Sequence, residues 1–143
     1  MRISRAVDYA VRCVHYMSMR PAGTVCILTD ICSEQDVPVS FMAKILQGLS
    51  KARIVRSIRG PKGGFTLLKH LRDITIKNVV EAIDGPLNIN ICLMEQGICK
   101  RENICPHQPV WVEVQKEIIR VLENYSFEYF AGKRKKHLEE PAI

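Results

Sequence analysis

Three of the six cysteines of this chain lie within the fourteen residues from Cys92 to Cys105. Six residues separate Cys92 from Cys99, and five separate Cys99 from Cys105. Thiolates bind soft metals, and a loop allows three of them to converge on one centre. A structural zinc site normally has four ligands, with cysteines paired about two to four residues apart. The wider spacing and the three thiols therefore favour an iron–sulfur cluster, [4Fe–4S] or [2Fe–2S], whose fourth position is held by a weaker ligand.

Two residues are the main candidates for that fourth position, with His15 as a less favoured third, and they stay open at this point. His107 follows the last cysteine closely, and imidazole binds iron well. Asp8 is distant in sequence but can come from the first helix of a partner subunit. A disulfide switch between two of the thiols is the alternative use of the same loop. The other three cysteines are interpreted as small apolar core residues: Cys13, Cys26 and Cys32.

The positive charge of the chain is concentrated in one segment. The chain has 21 basic and 15 acidic residues, a net charge of +6. Residues 37–72 contain eight Lys or Arg and no Asp or Glu, so the rest of the chain has 13 basic and 15 acidic residues. A segment of this length without acids favours a polyanion partner such as DNA over a merely solvated basic face.

The basic segment coincides with a predicted winged helix-turn-helix. Helical spacing of apolar residues predicts a first helix capped by Ser4, a short helix over residues 28–35 and, after a tight turn, a helix capped by Ser40. The sequence RGPKGG at 59–64, flanked by β-prone residues, predicts a hairpin wing. A further helix begins near Thr75 and ends at Gly85, so the predicted class is mainly α with a small β-hairpin.

The predicted DNA contacts belong to the second helix of this motif and to the wing. Lys44 and Gln47 are placed to reach base edges in the major groove, and Arg59 on a thin Gly-rich tip suits a narrow minor groove. The complete predicted set is Ser40, Phe41, Lys44, Gln47, Lys51, Arg59, Gly60, Lys62 and Gly63.

A long helix is predicted at the C-terminal side of the cysteine loop. Its apolar stripe consists of Val110, Val114, Ile118, Val121, Leu122 and Tyr125. One apolar face on a long terminal helix predicts a partner helix, and hence a homodimer. The predicted organisation is a DNA-binding domain, a cysteine loop, a dimerisation helix and a mobile polar tail, over 1–85, 86–109, 110–131 and 132–143.

Other function classes are disfavoured. No run reaches the roughly 18 consecutive apolar residues that a membrane span needs. At the start of the chain, charged residues lie among the apolar ones, unlike in the apolar segment of a secretory signal. A cytoplasmic protein with reduced thiols and no membrane partner is therefore expected. The sequence contains no Gly-rich nucleotide loop and no Ser/His/Asp set, so a small iron–sulfur or metal enzyme is less favoured than a regulator.

The chain resembles the bacterial iron–sulfur winged-helix repressors, the family that includes the IscR-like and NsrR-like regulators. The resemblance rests on MRISRAVDYAVRC, on VPVSFMAKILQGLSKARIVRSIRGPKGGF, on VVEAIDGP and on the three-cysteine loop. It implies homodimers with crossing C-terminal helices and two DNA-reading heads on a pseudo-palindromic promoter site. It also implies one cluster per subunit, sensing cluster supply, nitric oxide or redox stress and setting DNA affinity.

The resemblance assigns roles to individual residues. It implies that Cys92, Cys99 and Cys105 hold the cluster, that Ser40 and its helix read the major groove, and that Arg59 with the wing glycines reads the minor groove. In the IscR-like branch a His completes the site three residues past the last Cys, where this chain has Gln108.

The NsrR-like branch has an Asp that matches Asp8, which is therefore preferred over His107 as the fourth ligand. Ala43 replaces an acid that tunes operator choice in the IscR-like branch.

Overall fold

Helices make up most of the fold, and one two-stranded hairpin lies between the third and fourth. The computed structural model describes residues 2–137, without the side chains of 134–137. The elements are α1 (Arg5–Ser18), α2 (Leu28–Gln35), α3 (Val39–Lys51), β1 (Val55–Ile58), β2 (Gly64–Leu67), α4 (Ile76–Asp84), α5 (Gln108–Asn124) and α6 (Phe127–His137), with short 3-10 helices at Leu71–Asp73 and Ile91–Leu93. The predicted mainly α class with a hairpin is confirmed.

The first helix lies at the centre of the head, the unit formed by α1–α4, the hairpin and α6. Ser4 caps α1 as predicted, since its Oγ accepts a hydrogen bond from the Val7 N–H at 3.1 Å. Apolar residues at helical spacing bury one side of α1, including Ala10, Val14 and Met17. This side packs against α2, α3, α4 and α6, so the core of the head surrounds α1.

The second and third helices form the predicted helix-turn-helix, but the cap of α3 differs from the prediction. Pro38 occupies the N-cap position with an extended backbone, and its carbonyl accepts hydrogen bonds from the N–H groups of Phe41 and Met42. Ser40 lies inside the first turn of α3, so its predicted role as the cap is wrong. Proline fixes φ near the value that this turn needs, so the cap lies two residues earlier than predicted and the helix starts at Val39.

The hairpin is joined to the connection between α1 and α2. The strands β1 and β2 pair antiparallel, with Val55 opposite Leu67. Cys26 extends this sheet through two hydrogen bonds with Phe65, of 2.7 and 2.8 Å. A Cβ on Gly64 would lie 2.3 Å from the Cys26 carbonyl oxygen, so the close approach of these backbones requires glycine.

The fourth helix has the predicted ends. Thr75 and Asn78 form a reciprocal capping box at its start, and Gly85 with φ +81° ends it. The irregular segment after Gly85 leads to α5 through the 3-10 helix that contains Cys92.

The single helix predicted over 110–131 is interrupted in the structure. Tyr125 is extended, its carbonyl accepts a hydrogen bond from the Ile76 N–H at 3.0 Å, and the Phe127 N–H donates to the Ile74 carbonyl at 2.9 Å. Phe127 is fully buried in the core of the head, and burying a phenyl ring contributes about 1.5–3 kcal/mol. This burial and the two backbone bonds favour a break over a continuous helix.

The segment predicted as a mobile tail, 132–143, is described only in part. The helix α6 continues to His137, and its earlier turns pack against α1 and the 3-10 helix at Leu71–Asp73. Residues 138–143 lie outside the described part of the chain. Over residues 2–137, every helix is too short or too polar to cross a bilayer.

Candidate DNA interface and cysteine loop

The exposed side of α3 carries the residues predicted to read DNA. Its opposite side is buried in the head. Phe41 is 55% exposed, and its ring meets that of Tyr9 edge-on with the centroids 6.4 Å apart. All five predicted side chains on this helix are exposed: Ser40, Phe41, Lys44, Gln47 and Lys51. Packing of the apolar side against the core therefore holds the polar side toward solvent, where a duplex can approach.

The basic residues of the segment 37–72 are available to an external partner. All eight are exposed, and none forms a salt bridge within the described residues. Basic residues elsewhere do pair with carboxylates, as in Arg12 with Asp8 at 2.9 Å and Lys77 with Glu123 at 2.8 Å. The unpaired set is Lys44, Lys51, Arg53, Arg56, Arg59, Lys62, Lys69 and Arg72. This concentration of uncompensated positive charge suits a phosphate backbone.

The tip of the wing is narrow. The Gly63 N–H donates to the Gly60 carbonyl at 2.9 Å, which closes a four-residue turn. Gly60 has φ +112°, and a Cβ on Gly63 would lie 2.3 Å from the Ile58 carbonyl oxygen. The turn therefore needs glycine at both ends. Arg59 and Lys62 are exposed on this tip, with no bulky neighbour between them and solvent.

Four of the unpaired basic residues were not among the predicted DNA contacts. These are Arg53, Arg56, Lys69 and Arg72, which contributed to the charge count alone. Arg56 and Ser57 are exposed on β1 between the buried Val55 and the half-buried Ile58. Arg53 adopts φ +57° in the turn from α3 to β1. The strand alternation was a usable signal for Arg56, whereas a positive φ at an arginine has no sequence signature.

The cysteine loop presents three half-exposed free thiols. Cys92 lies in the 3-10 helix at Ile91–Leu93, and Cys99 and Cys105 lie in the turns that follow. The Sγ of Cys105 is 3.9 Å from Nδ1 of His107. In residues 2–137 no three Cys, His, Asp or Glu side chains form a group able to hold a metal ion. The structure therefore does not bring the three thiols together within one chain.

The two candidate fourth ligands lie in different settings. Asp8 is on α1, and its side chain is 51% exposed and ion-paired with Arg12. His107 is exposed at the start of α5 and is within contact distance of one of the three thiols. Both roles remain predictions.

The other three cysteines lie in the core, as interpreted from the sequence. Burial, with smaller contributions from the neighbouring thiols of Cys26 and Cys32, raises the pKa of Cys13 to about 12. Burial also raises the pKa of Cys26 and of Cys32. A thiol with a raised pKa has little thiolate at neutral pH and reacts slowly. The head and the loop thus contain two chemically different sets of cysteines.

The apolar stripe of α5 stays at the surface of the chain. No residue of α5 is buried, although the helix contacts α4. Trp111 was not part of the predicted stripe but is also exposed. It lies on the same side of the helix as Val114, three residues further along. The helix is connected to the loop by a hydrogen bond of 3.1 Å from the Ile89 N–H to Oε1 of Gln115. The exposed residues include Val110, Trp111, Val114, Val121 and Tyr125.

Comparison with known proteins identifies relatives of this chain. A helix-turn-helix transcriptional regulator of Mycobacterium tuberculosis is 39% identical over 87 residues, which cover 61% of this chain and 54% of that protein. The matched region thus spans about half the length of that relative. The transcriptional regulator IscR of Yersinia pestis is 27% identical over 124 residues, covering 87% of this chain and 75% of IscR.

Solved structures share the fold over nearly the whole chain. CymR, the global cysteine regulator of B. subtilis, superimposes with a TM-score of 0.74 at 21% identity, covering 92% of this chain and 97% of CymR. IscR of T. potens gives a TM-score of 0.74 at 20% identity, covering 100% of this chain and 93% of IscR. At these identities the comparison shows a common winged-helix fold.

The sequence profile of one family covers almost all of the chain. It matches residues 3–133, a range that includes the helix-turn-helix, the wing, the cysteine loop and α5. This match shows that the chain belongs to the Rrf2 family of iron-dependent transcriptional regulators.

Proposed function

We propose that this chain is a homodimeric repressor whose affinity for promoter DNA is set by an iron–sulfur cluster on its cysteine loop. The observation that carries the proposal is the pairing of two features in one chain. Eight exposed basic residues lack ion pairs within the described residues, and three free, half-exposed thiols lie in the loop that leads into α5.

The DNA-binding half of the proposal assigns different contacts to α3 and to the wing. Lys44 and Gln47 project from the exposed side of α3 and have the length and donors to reach base edges. Phe41 offers an apolar surface to a thymine methyl group. Arg59 enters the minor groove, while Lys62 contacts phosphate and so adds affinity without sequence preference.

The dimer assignment rests on the exposed face of α5. Val114, Ile118 and Val121 lie along one side of the helix, where a second copy of α5 would remove them from water. Two heads related by a two-fold axis would bind half-sites about 34–36 Å apart, one turn of DNA. Any change in how α5 sits against the head would alter this spacing at both half-sites.

The donor chemistry of the loop fits an iron–sulfur cluster. Cys92, Cys99 and Cys105 supply three thiolates in an irregular segment that can rearrange, and none is held in a disulfide or in the core. Asp8 is the preferred fourth ligand, and it must then leave Arg12. An exposed ion pair of this kind contributes only about 0–1 kcal/mol, so its loss is a small barrier to ligation.

Ligation by these residues would connect parts of the chain that are separate in the structure. When bound, the cluster supplies iron that reacts with oxidants or nitric oxide. The three cysteines would fold the loop around one centre, and Asp8 would attach that loop to an α1 helix. Because the loop also bonds to Gln115, its rearrangement would change the position of α5. The DNA spacing of the dimer would then depend on whether the loop is closed.

A regulator that uses the same thiols without a cluster is the second candidate. The specific observation in its favour is the contact of 3.9 Å between Cys105 and His107. In this candidate a peroxide first oxidises a second loop cysteine to a sulfenic acid. The Cys105 thiol then gives its proton to the imidazole, and its sulfur attacks the sulfenic sulfur, which forms the disulfide and releases water.

Metal and sulfide content separate the two candidates. The protein is purified without oxygen, reconstituted with iron and sulfide, and measured for iron, sulfide and zinc per chain. About four of each of iron and sulfide would support [4Fe–4S], and about two of each would support [2Fe–2S]. The variant Asp8→Ala should change the absorption spectrum, whereas Asp73→Ala, at another exposed aspartate, should not. Absence of both iron and sulfide would refute the cluster and favour the thiol switch.

The oligomeric state tests the dimer independently. We expect Val114→Lys to give monomers, because it places a charge in the middle of the apolar stripe. Glu113→Lys is the control, since one residue along an α-helix points about 100° away from the stripe. Native mass measurement of the two variants should give one chain and two chains, respectively. Two chains for Val114→Lys would refute the assignment of α5 as the interface.

A further inference from the structure

A cavity of about 420 Å³, partly open to solvent, lies in the head, and two of its lining residues, Lys69 and Arg72, belong to the exposed basic set. It is lined by the end of α1, the connection that follows, β2, the 3-10 helix at Leu71–Asp73 and the start of α6. Its size falls within the range of about 300–1,000 Å³ that is usual for small-molecule sites.

The lining of the cavity combines an apolar part with an excess of positive charge. Met17, Leu67 and Leu71 provide apolar surface, while Lys69 and Arg72 provide cations that form no salt bridge within the described residues. A ligand that satisfied both parts would need an apolar body and a negatively charged group.

A third basic residue of the lining, Arg20, is fixed in place. Its guanidinium lies 3.2 Å from the centroid of the Tyr16 ring and donates to the Tyr16 carbonyl at 2.6 Å. It also lies 3.5 Å from a carboxylate oxygen of Glu34, which compensates part of its charge. Glu128 adds one negative charge at the α6 side of the cavity. The remaining excess is therefore modest and suits a singly charged anion better than a multiply charged one.

Thr66 also lines the cavity, but its hydroxyl is not a ligand contact. The residue is only 5% exposed, and its Oγ1 is buried away from the open space of the cavity as well as from solvent. The contacts left for a bound molecule are the cations and the apolar side chains of the lining.

We infer that this cavity binds a small carboxylate with an apolar body, held by Lys69 and Arg72. The apolar body contacts Met17 and the two leucines of the lining. This site is separate from the thiol loop, and the inference does not rest on the proposed cluster or on the dimer.

The test compares two probes that differ only in charge. The full chain, labelled with ¹⁵N, is titrated with 4-phenylbutyrate and, separately, with 4-phenyl-1-butanol. We expect the carboxylate to shift the amide signals of Thr66, Leu67 and Leu71 in a saturable way, with at least tenfold tighter binding than the alcohol. No shift at these amides up to 10 mM carboxylate, or equal affinity for both probes, would overturn the inference. Inorganic phosphate that bound as tightly as the carboxylate would overturn the requirement for an apolar body.

Variants assign the effect to the cavity. Arg72→Gln removes one of the two cations of the lining, so we expect it to weaken 4-phenylbutyrate binding about 2- to 10-fold. Arg53→Gln, at an exposed arginine outside the lining, is the matched control. Lys69→Gln should weaken binding of the carboxylate but not of the alcohol, whereas Lys44→Gln should change neither. Unchanged carboxylate affinity in both Arg72→Gln and Lys69→Gln would overturn the assigned contacts.

Discussion

The wing provides the sharpest quantitative test of the DNA interface. Lys62 is exposed on a turn that the hydrogen bond from Gly63 to Gly60 closes, and it has no carboxylate partner within the described residues. If Lys62 contacts phosphate, Lys62→Ala will remove one such contact from each head and leave the wing backbone unchanged. The loss should affect operator and unrelated DNA alike, because phosphate contacts carry no sequence information.

The size of the effect follows from counterion release. Each phosphate contact contributes about 0.9 to the slope of log affinity against log salt concentration. In the proposed dimer the substitution removes two contacts, so the slope should become shallower by about 1.8. Between 50 and 200 mM salt, the affinity ratio of wild type to variant should therefore fall about 12-fold.

Fluorescence anisotropy with a labelled promoter fragment and with a random duplex measures this slope. Lys116→Ala is the matched control, since Lys116 is an exposed lysine on α5, outside the basic segment. We expect its slope to equal that of the wild type. An unchanged slope for Lys62→Ala, or an equal change for both variants, would refute the placement of the wing on phosphate.

Three further outcomes are expected. Phe127→Ala should lower the free energy of unfolding by about 3–5 kcal/mol in urea denaturation, because Phe127 is fully buried. Tyr129→Ala, at an exposed ring, is the control and should lower it much less. A loss below about 1 kcal/mol for Phe127→Ala would contradict the packing of this ring in the core. In cluster-free protein, Cys13 should resist N-ethylmaleimide at pH 8 while the three loop thiols react, because a pKa of about 12 leaves only about 0.01% of Cys13 as thiolate at that pH. Alkylation of Cys13 at the rate of the loop thiols, mapped by mass spectrometry, would contradict this. Gly132→Ala should raise the melting temperature slightly, since a Cβ there meets no atom within 4 Å and alanine favours the helix. A lower melting temperature would contradict the open space around Gly132.

The elements that local chemistry determines were predictable from the sequence. Ser4 and the Thr75–Gly85 pair mark helix ends through side-chain caps and glycine, and the structure confirms them. The start of α3 was misplaced because Ser40, a good cap, follows Pro38, which fixes the turn earlier. The break before Phe127 was missed because it depends on backbone bonds to a segment fifty residues earlier, which no local pattern reveals.

The candidate sites, too, were predictable only where the local sequence determines them. The concentration of Lys and Arg in residues 37–72 predicted the exposed basic face, because charged side chains seldom enter a core. The spacing of the cysteines along the chain predicted three accessible thiols. It did not predict that they lie apart in the structure, because tertiary contacts set the path of an irregular loop. The cavity beside Thr66 had no sequence signal, because five separate segments enclose it.

The buried Phe127 also has a consequence for the order of folding. The head is complete only when α6 has packed against α1, although Phe127, the first residue of α6, comes 109 positions after Ser18, the last residue of α1. During synthesis the helix-turn-helix therefore emerges long before the ring that fills its core. A nascent chain that has reached only Gly85 has every predicted DNA-contacting residue but an unfilled hydrophobic gap. We expect such a fragment to be recognised by chaperones rather than by DNA, and DNA binding to begin only after the cysteine loop and α5 have also been made.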